Sequence, residues 1–178
     1  MAKNLYESNI RELTKTIEYC FKQNDKLSCL ILLYSVIDIM SWLSRDPHEA
    51  ETTKTDFIRW VEEFILPGSG LKCTAEELYS ARRSIIHTYI PEWGTSTNVK
   101  VDTNKINYIW AKAGKSALEN RIKGSSRKPA TTVVNIDDLI NALKNAIQRF
   151  DDSLSYNRAL FELIDDRSKK FFGSITKK

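Results

Sequence analysis

The stretch from Leu27 to Leu43 constrains this chain more than any other, because it is apolar on nearly every side of a helix. A helix without a polar face must be surrounded by other elements, so it predicts the centre of a bundle. It is shorter than the roughly 20 residues of a membrane span, and it carries a carboxylate, Asp38, in its interior. We therefore expect a core helix and no membrane partner. A charge at Asp38 is costly among apolar neighbours unless a cation meets it.

The flanking sequence supplies partner helices. Leu5, Ile10, Leu13, Ile17 and Phe21 recur at close to helical spacing. Lys22 to Lys26 breaks the pattern, and Asp46 and Pro47 end the apolar helix. A third helix is expected over Lys54 to Leu66, with Phe57, Trp60, Val61 and Phe64 on one face, before a loop at Pro67, Gly68 and Gly70. Thr74 and Glu77 have the spacing of a capping box. The helix they start should run to about Tyr89, because Pro91 disfavours helical backbone at Ile90. Ile136 to Leu154 fits the 3.6-residue period, with Asn135 or Asp137 as its cap. A last helical segment, Tyr156 to Lys169, either continues it or folds back, and a frayed tail is expected from Gly173.

Residues 91–135 have a different texture. Ile106 to Trp110 and Thr131 to Ile136 are rich in β-branched and aromatic residues. They predict a small antiparallel pair, a β-hairpin inserted into the helical body, with a short helix at Ser116 to Ile122 between them. The expected fold is one mainly all-α domain over residues 1–178.

The hydrophobic content of 42% is enough for a core without disulfides. The three cysteines, Cys20, Cys29 and Cys73, are read as small buried hydrophobes. Two histidines in the chain leave no His/Cys zinc site, and no cofactor is expected. The N-terminus has no signal-peptide core, so the expected compartment is the cytoplasm. The net charge of +4 permits a nucleic-acid partner without requiring one.

One cluster carries chemistry. The fourth helix ends Ala81-Arg82-Arg83-Ser84-Ile85-Ile86-His87-Thr88-Tyr89-Ile90-Pro91. Histidine titrates nearest neutral pH and suits proton transfer. A guanidinium matches phosphate oxygens with paired donors. His87, near a helix C-terminus, would feel the negative end of the dipole, which favours the protonated form of an acid. Positions five apart on a helix are about 140° apart, so Arg82 falls on the apolar face with Leu78, Ala81 and Ile85. Arg83 lies closer to His87. Helical spacing alone thus favours Arg83 as the arginine that meets a phosphate beside His87.

The order Arg82, four residues, His87, one residue, Tyr89 resembles the R-x4-H-x-Y signature of the HEPN superfamily. The resemblance covers roughly Leu27 to Pro91. It implies a HEPN-like helical bundle and a metal-independent endoribonuclease, a toxin or phage-defence effector acting on RNA. His87 would transfer protons, Arg82 would bind the scissile phosphate, and Asp38 and Tyr89 would support them. It also implies a homodimer with a composite site, and an antitoxin or nucleotidyltransferase partner for which Tyr89 is an adenylylation target. Arg83 occupies a position that is often Asn, Asp or His in that family. This favours the alternative, a HEPN-like dimeric adaptor or regulatory module without catalysis.

The basic loop with Lys123, Arg127 and Lys128 is a further candidate for RNA phosphates, although such loops are more often simply solvated. Trp42, Trp60, Trp93 and Trp110 are read as core or interface residues. His48, beside Pro47, is read as solvated.

Overall fold

A computed structural model describes residues 5–47, 53–88, 105–110 and 131–176. In chain order its elements are α1 (Leu5–Lys22), α2 (Lys26–Ser44), α3 (Lys54–Trp60) running into a π-helical turn (Val61–Ile65), α4 (Ala75–Thr88), β1 (Lys105–Ile109), β2 (Thr131–Asn135), α5 (Ile136–Tyr156) and α6 (Arg158–Thr176). The protein is thus mostly helical, with one two-stranded sheet among the described residues.

The helix ends follow local chemistry. Asn24 takes a left-handed conformation between α1 and α2, and the Asp25 carboxylate accepts the Ser28 amide to start α2. A capping box at Thr53 and Asp56, not anticipated from sequence, begins α3. Gly68 and Gly70 both take positive φ in the turn that follows, where a side chain would be strained. Asn135 accepts the amides of Asp137 and Asp138 and opens α5. Extended backbone at Asn157 then separates α5 from α6, so the last helix is distinct. It continues through Gly173 to Thr176, where a frayed tail was expected.

The long apolar helix is central. Nine residues of α2 are buried, and α1, α3, α4, α5 and α6 all pack on it. By length and composition α2 would also suit a bilayer. In this fold half of that stretch is buried against the other helices. Trp60, Tyr6, Tyr34, Phe57 and Phe150 are the largest fully buried side chains of the surrounding core. Cys20 and Cys29 are buried free thiols, while Cys73 is half-buried. Burial pushes the Cys29 and Cys73 thiols up to about 12, which keeps them protonated and poorly nucleophilic.

The strands correct one expectation. β1 and β2 pair in parallel, Lys105 opposite Thr131 and Ile109 opposite Asn135, so they do not form a hairpin. Parallel pairing needs a connection of a dozen or more residues, and the sequence between Ile109 and Thr131 is long enough for one. Nor is the pair an appendage. Ile106 and Val134 belong to the main core, Tyr108 and Tyr34 share a hydrogen bond between hydroxyls at 2.5 Å, and the Thr132 hydroxyl donates to Glu77 at 2.6 Å. The expected helix at Ser116 to Ile122 lies outside the described residues.

Candidate functional site

The site is assembled on α4. The Thr74 amide donates to Glu77 Oε2 at 2.8 Å and the Glu77 amide donates to Thr74 Oγ1 at 3.1 Å, the reciprocal bonds of a capping box. The other oxygen of Glu77 accepts from Thr132, so one carboxylate fixes both the start of α4 and its position beside β2. From that start, Leu78, Ala81 and Ile85 turn into the core. Tyr79, Arg82 and Ile86 form the adjoining stripe, which is half-buried.

Arg82 meets Asp38 across the α2–α4 contact. Its Nε lies 3.1 and 2.9 Å from the two carboxylate oxygens, and its Nη2 lies 2.8 Å from Oδ2. Oδ2 thus accepts from both Nε and Nη2, and Nε is shared with Oδ1, a charge-assisted contact made through the Nε side of the guanidinium. The cost of a lone carboxylate on an apolar helix is met in this way. The two side chains retain 22% and 27% exposure. Water therefore competes with the pair, and its net worth is about 1 kcal/mol rather than the several of a buried pair.

The pair lies in an open groove of about 470 Å³. Asp38 and Trp42 of α2, Lys54 of α3, Tyr79 and Arg82 of α4, and Phe171 of α6 line it. The Lys54 ammonium and the Arg82 guanidinium both stand near the Tyr79 ring, 5.7 and 5.9 Å from its centroid. The Trp42 and Phe171 rings are 5.4 Å apart at 41°, and the Arg45 guanidinium is 5.2 Å from the Trp42 ring. Phe57 packs edge-on to Tyr79 beneath.

Other candidates fall elsewhere. Arg83 is exposed, on the face of α4 turned away from the core. His87 is in the last turn of α4, one residue beyond groove-lining Ile86, with its side chain outside the described ones. Tyr89, Lys123, Arg127, Lys128, His48 and Trp93 lie outside the described residues. Trp60 is core, and Trp110 is half-buried against Phe21. No cluster of three metal-ligating side chains occurs among the described residues.

Sequence reasoning missed Lys54, Tyr79 and Phe171. Tyr79 was within reach of it: with Arg82 and Ile86 it follows the spacing of one helix stripe, as Ser35, Asp38 and Trp42 do on α2. Lys54 and Phe171 come from distant segments, and no local pattern marks them. No family model, characterised protein or solved structure matches this chain.

Proposed function

We propose that this chain is a metal-independent endoribonuclease of HEPN type, serving as a toxin or defence effector. The 2′-hydroxyl of RNA attacks the adjacent phosphorus as its proton is removed. The bond to the 5′-oxygen breaks, and that oxygen takes up a proton, leaving a 2′,3′-cyclic phosphate and a 5′-hydroxyl. His87 serves in the proton transfer. Arg82, with Arg83 four residues before His87 in the sequence, offsets the charge that builds on the phosphate. Asp38 orients Arg82, and Tyr89 supports the site.

The observation that carries this reading is the placement of Arg82. It is held by Asp38 in an open groove, on the same helix as His87 and five residues before it. An arginine kept only for packing has no need of an open face. Two copies related by a twofold axis would bring two such helix ends together, as the resemblance implies.

One observation favours a second reading. Asp38 already balances the charge of Arg82, and an ion pair of this kind is also complete as a structural element. A bundle using it so would be a dimeric adaptor without catalysis.

The test is incubation of the purified protein with transfer RNA and total RNA in excess chelator, beside His87→Ala. Cleavage by the parent alone, with cyclic phosphate ends, is the expected result. Intact RNA in both samples would move the assignment to the adaptor, and equal cleavage in both would remove His87 from the chemistry.

A further inference from the structure

The groove holds more than the motif requires. Its lining includes two cations, Lys54 and Arg82, against one carboxylate, Asp38, and Arg45 adds a third positive charge on the Trp42 ring. Both lining cations gather at a single aromatic ring, that of Tyr79. At the opposite wall Trp42 and Phe171 form an aromatic surface, and Phe171 keeps 37% of its surface exposed although it is a large apolar side chain. Net positive charge beside partly exposed aromatic rings is complementary to a nucleotide, whose phosphate is anionic and whose base is a flat π-face. A purely apolar partner would leave the cations desolvated, and an acidic peptide would leave the aromatic wall without a flat partner.

We infer that this groove seats one unpaired nucleotide of an RNA strand, its base against Trp42 and Phe171 and its phosphate on Lys54 and Arg82. The site deepens the ribonuclease reading and rests on it for the choice of RNA as ligand. It makes Lys54, Trp42 and Phe171 binding residues that position the strand, with Arg82 shared between groove and scissile phosphate. Selection for an unpaired base follows, because a base within a duplex has no free face to offer the wall.

The test uses a labelled 2′-O-methyl RNA tetranucleotide, which lacks the attacking hydroxyl, so that binding is read without cleavage. Fluorescence anisotropy is recorded over a salt series for the full chain and its variants. Lys54 and Phe171 are both exposed, so Lys54→Gln and Phe171→Ala should fold. Phe171→Ala is expected to weaken binding at least about fivefold, the loss of one stacking face. Lys54→Gln should lower the slope of log K against log salt by roughly 0.7, one phosphate contact on a single strand. Arg158→Gln, at an exposed ion pair on α6, should change neither quantity. Parent-like binding by both groove variants would overturn the inference, as would no binding by the parent. So would a loss of self-association in those variants with oligonucleotide binding intact, since the groove would then hold a second copy. A parent that binds with these dependences but cuts no RNA keeps the groove and removes the catalysis. One that cuts RNA while its groove variants bind normally does the reverse.

Discussion

Two arginines meet α2 at different places, one within the helix and one at its C-terminal end, and they are used differently. Arg167 of α6 is only 8% exposed and donates to three backbone carbonyls, those of Leu43 at 2.6 Å, Arg45 at 2.7 Å and Asp46 at 3.2 Å. It closes the C-terminus of α2, where carbonyls otherwise lack partners and the helix dipole is negative. Burial pulls its guanidinium below the ordinary arginine range, with Arg45 nearby adding repulsion. Arg82 instead meets a carboxylate in a groove open to solvent. A cation spent on sealing a helix end is enclosed, whereas a cation that must meet a ligand is held but left accessible. On the proposed reading, that contrast separates an arginine with a structural role from one that meets a ligand.

The sharpest way to break the contrast is to remove each arginine in turn. Arg167→Ala leaves three carbonyls without their donor, one of them buried, and a loss of roughly 3 kcal/mol in urea unfolding is expected. A cost below that of an exposed ion pair would dissolve the distinction. Arg82→Ala should do the opposite, slowing RNA cleavage by about a hundredfold or more, within the range seen when a single charge-stabilising donor is lost. Its stability cost should stay near 1 kcal/mol, because both partners of the pair are partly solvated. A double-mutant cycle of Asp38→Asn with Arg82→Gln should give a coupling of about 1 kcal/mol in stability and a larger one in cleavage. No coupling in either would mean that Asp38 does not orient Arg82.

The start of α4 offers a comparison of similar size. Thr74→Ala removes one side of the capping box and should cost about 1 kcal/mol in thermal or urea unfolding. Cleavage should persist once folding is allowed for, since the cap fixes the helix without touching the groove.

The smallest effect contrasts two carboxylates. Asp38 has a guanidinium, but Asp151 has the Tyr6 hydroxyl, which donates to it at 3.0 Å. Desolvation raises the Asp151 carboxyl above 3.8, although the Tyr6 bond partly opposes it. The folded state therefore holds that proton to higher pH than the unfolded chain does. Stability falls as pH rises from 3.8 through the raised value. Asp151→Asn keeps the acceptor and should flatten that slope in urea titrations run across the window. An unchanged slope would place its origin elsewhere.

Much of this was legible in the residues. An all-round apolar run could only be central, and the Asp38 within it demanded a cation. Arg82 was the natural one because helical spacing put it on the buried side of α4. Thr74 and Glu77 marked the start of α4 by chemistry that is local in sequence. The strand direction was not legible. β-branched residues at Ile106 to Ile109 and Thr131 to Val134 specify a pleated, half-buried surface, and either pairing direction satisfies it. The π-helical turn after Trp60 was hidden for a similar reason, since Val61 and Ile65 read equally well as ordinary helix. Lys54 and Phe171 join the groove only because α3 and the end of α6 pack against the same stretch of α2, a tertiary coincidence that no spacing rule encodes.

The most direct test of the central claim is the rate of RNA cleavage by Arg82→Ala in excess chelator, measured beside its melting temperature and those of the parent. Cleavage at least about a hundredfold slower than the parent's, with melting lowered by only a few degrees, is the predicted result. A parent that leaves RNA intact, or a variant that cuts it as fast as the parent, would contradict the assignment of Arg82 to the chemistry.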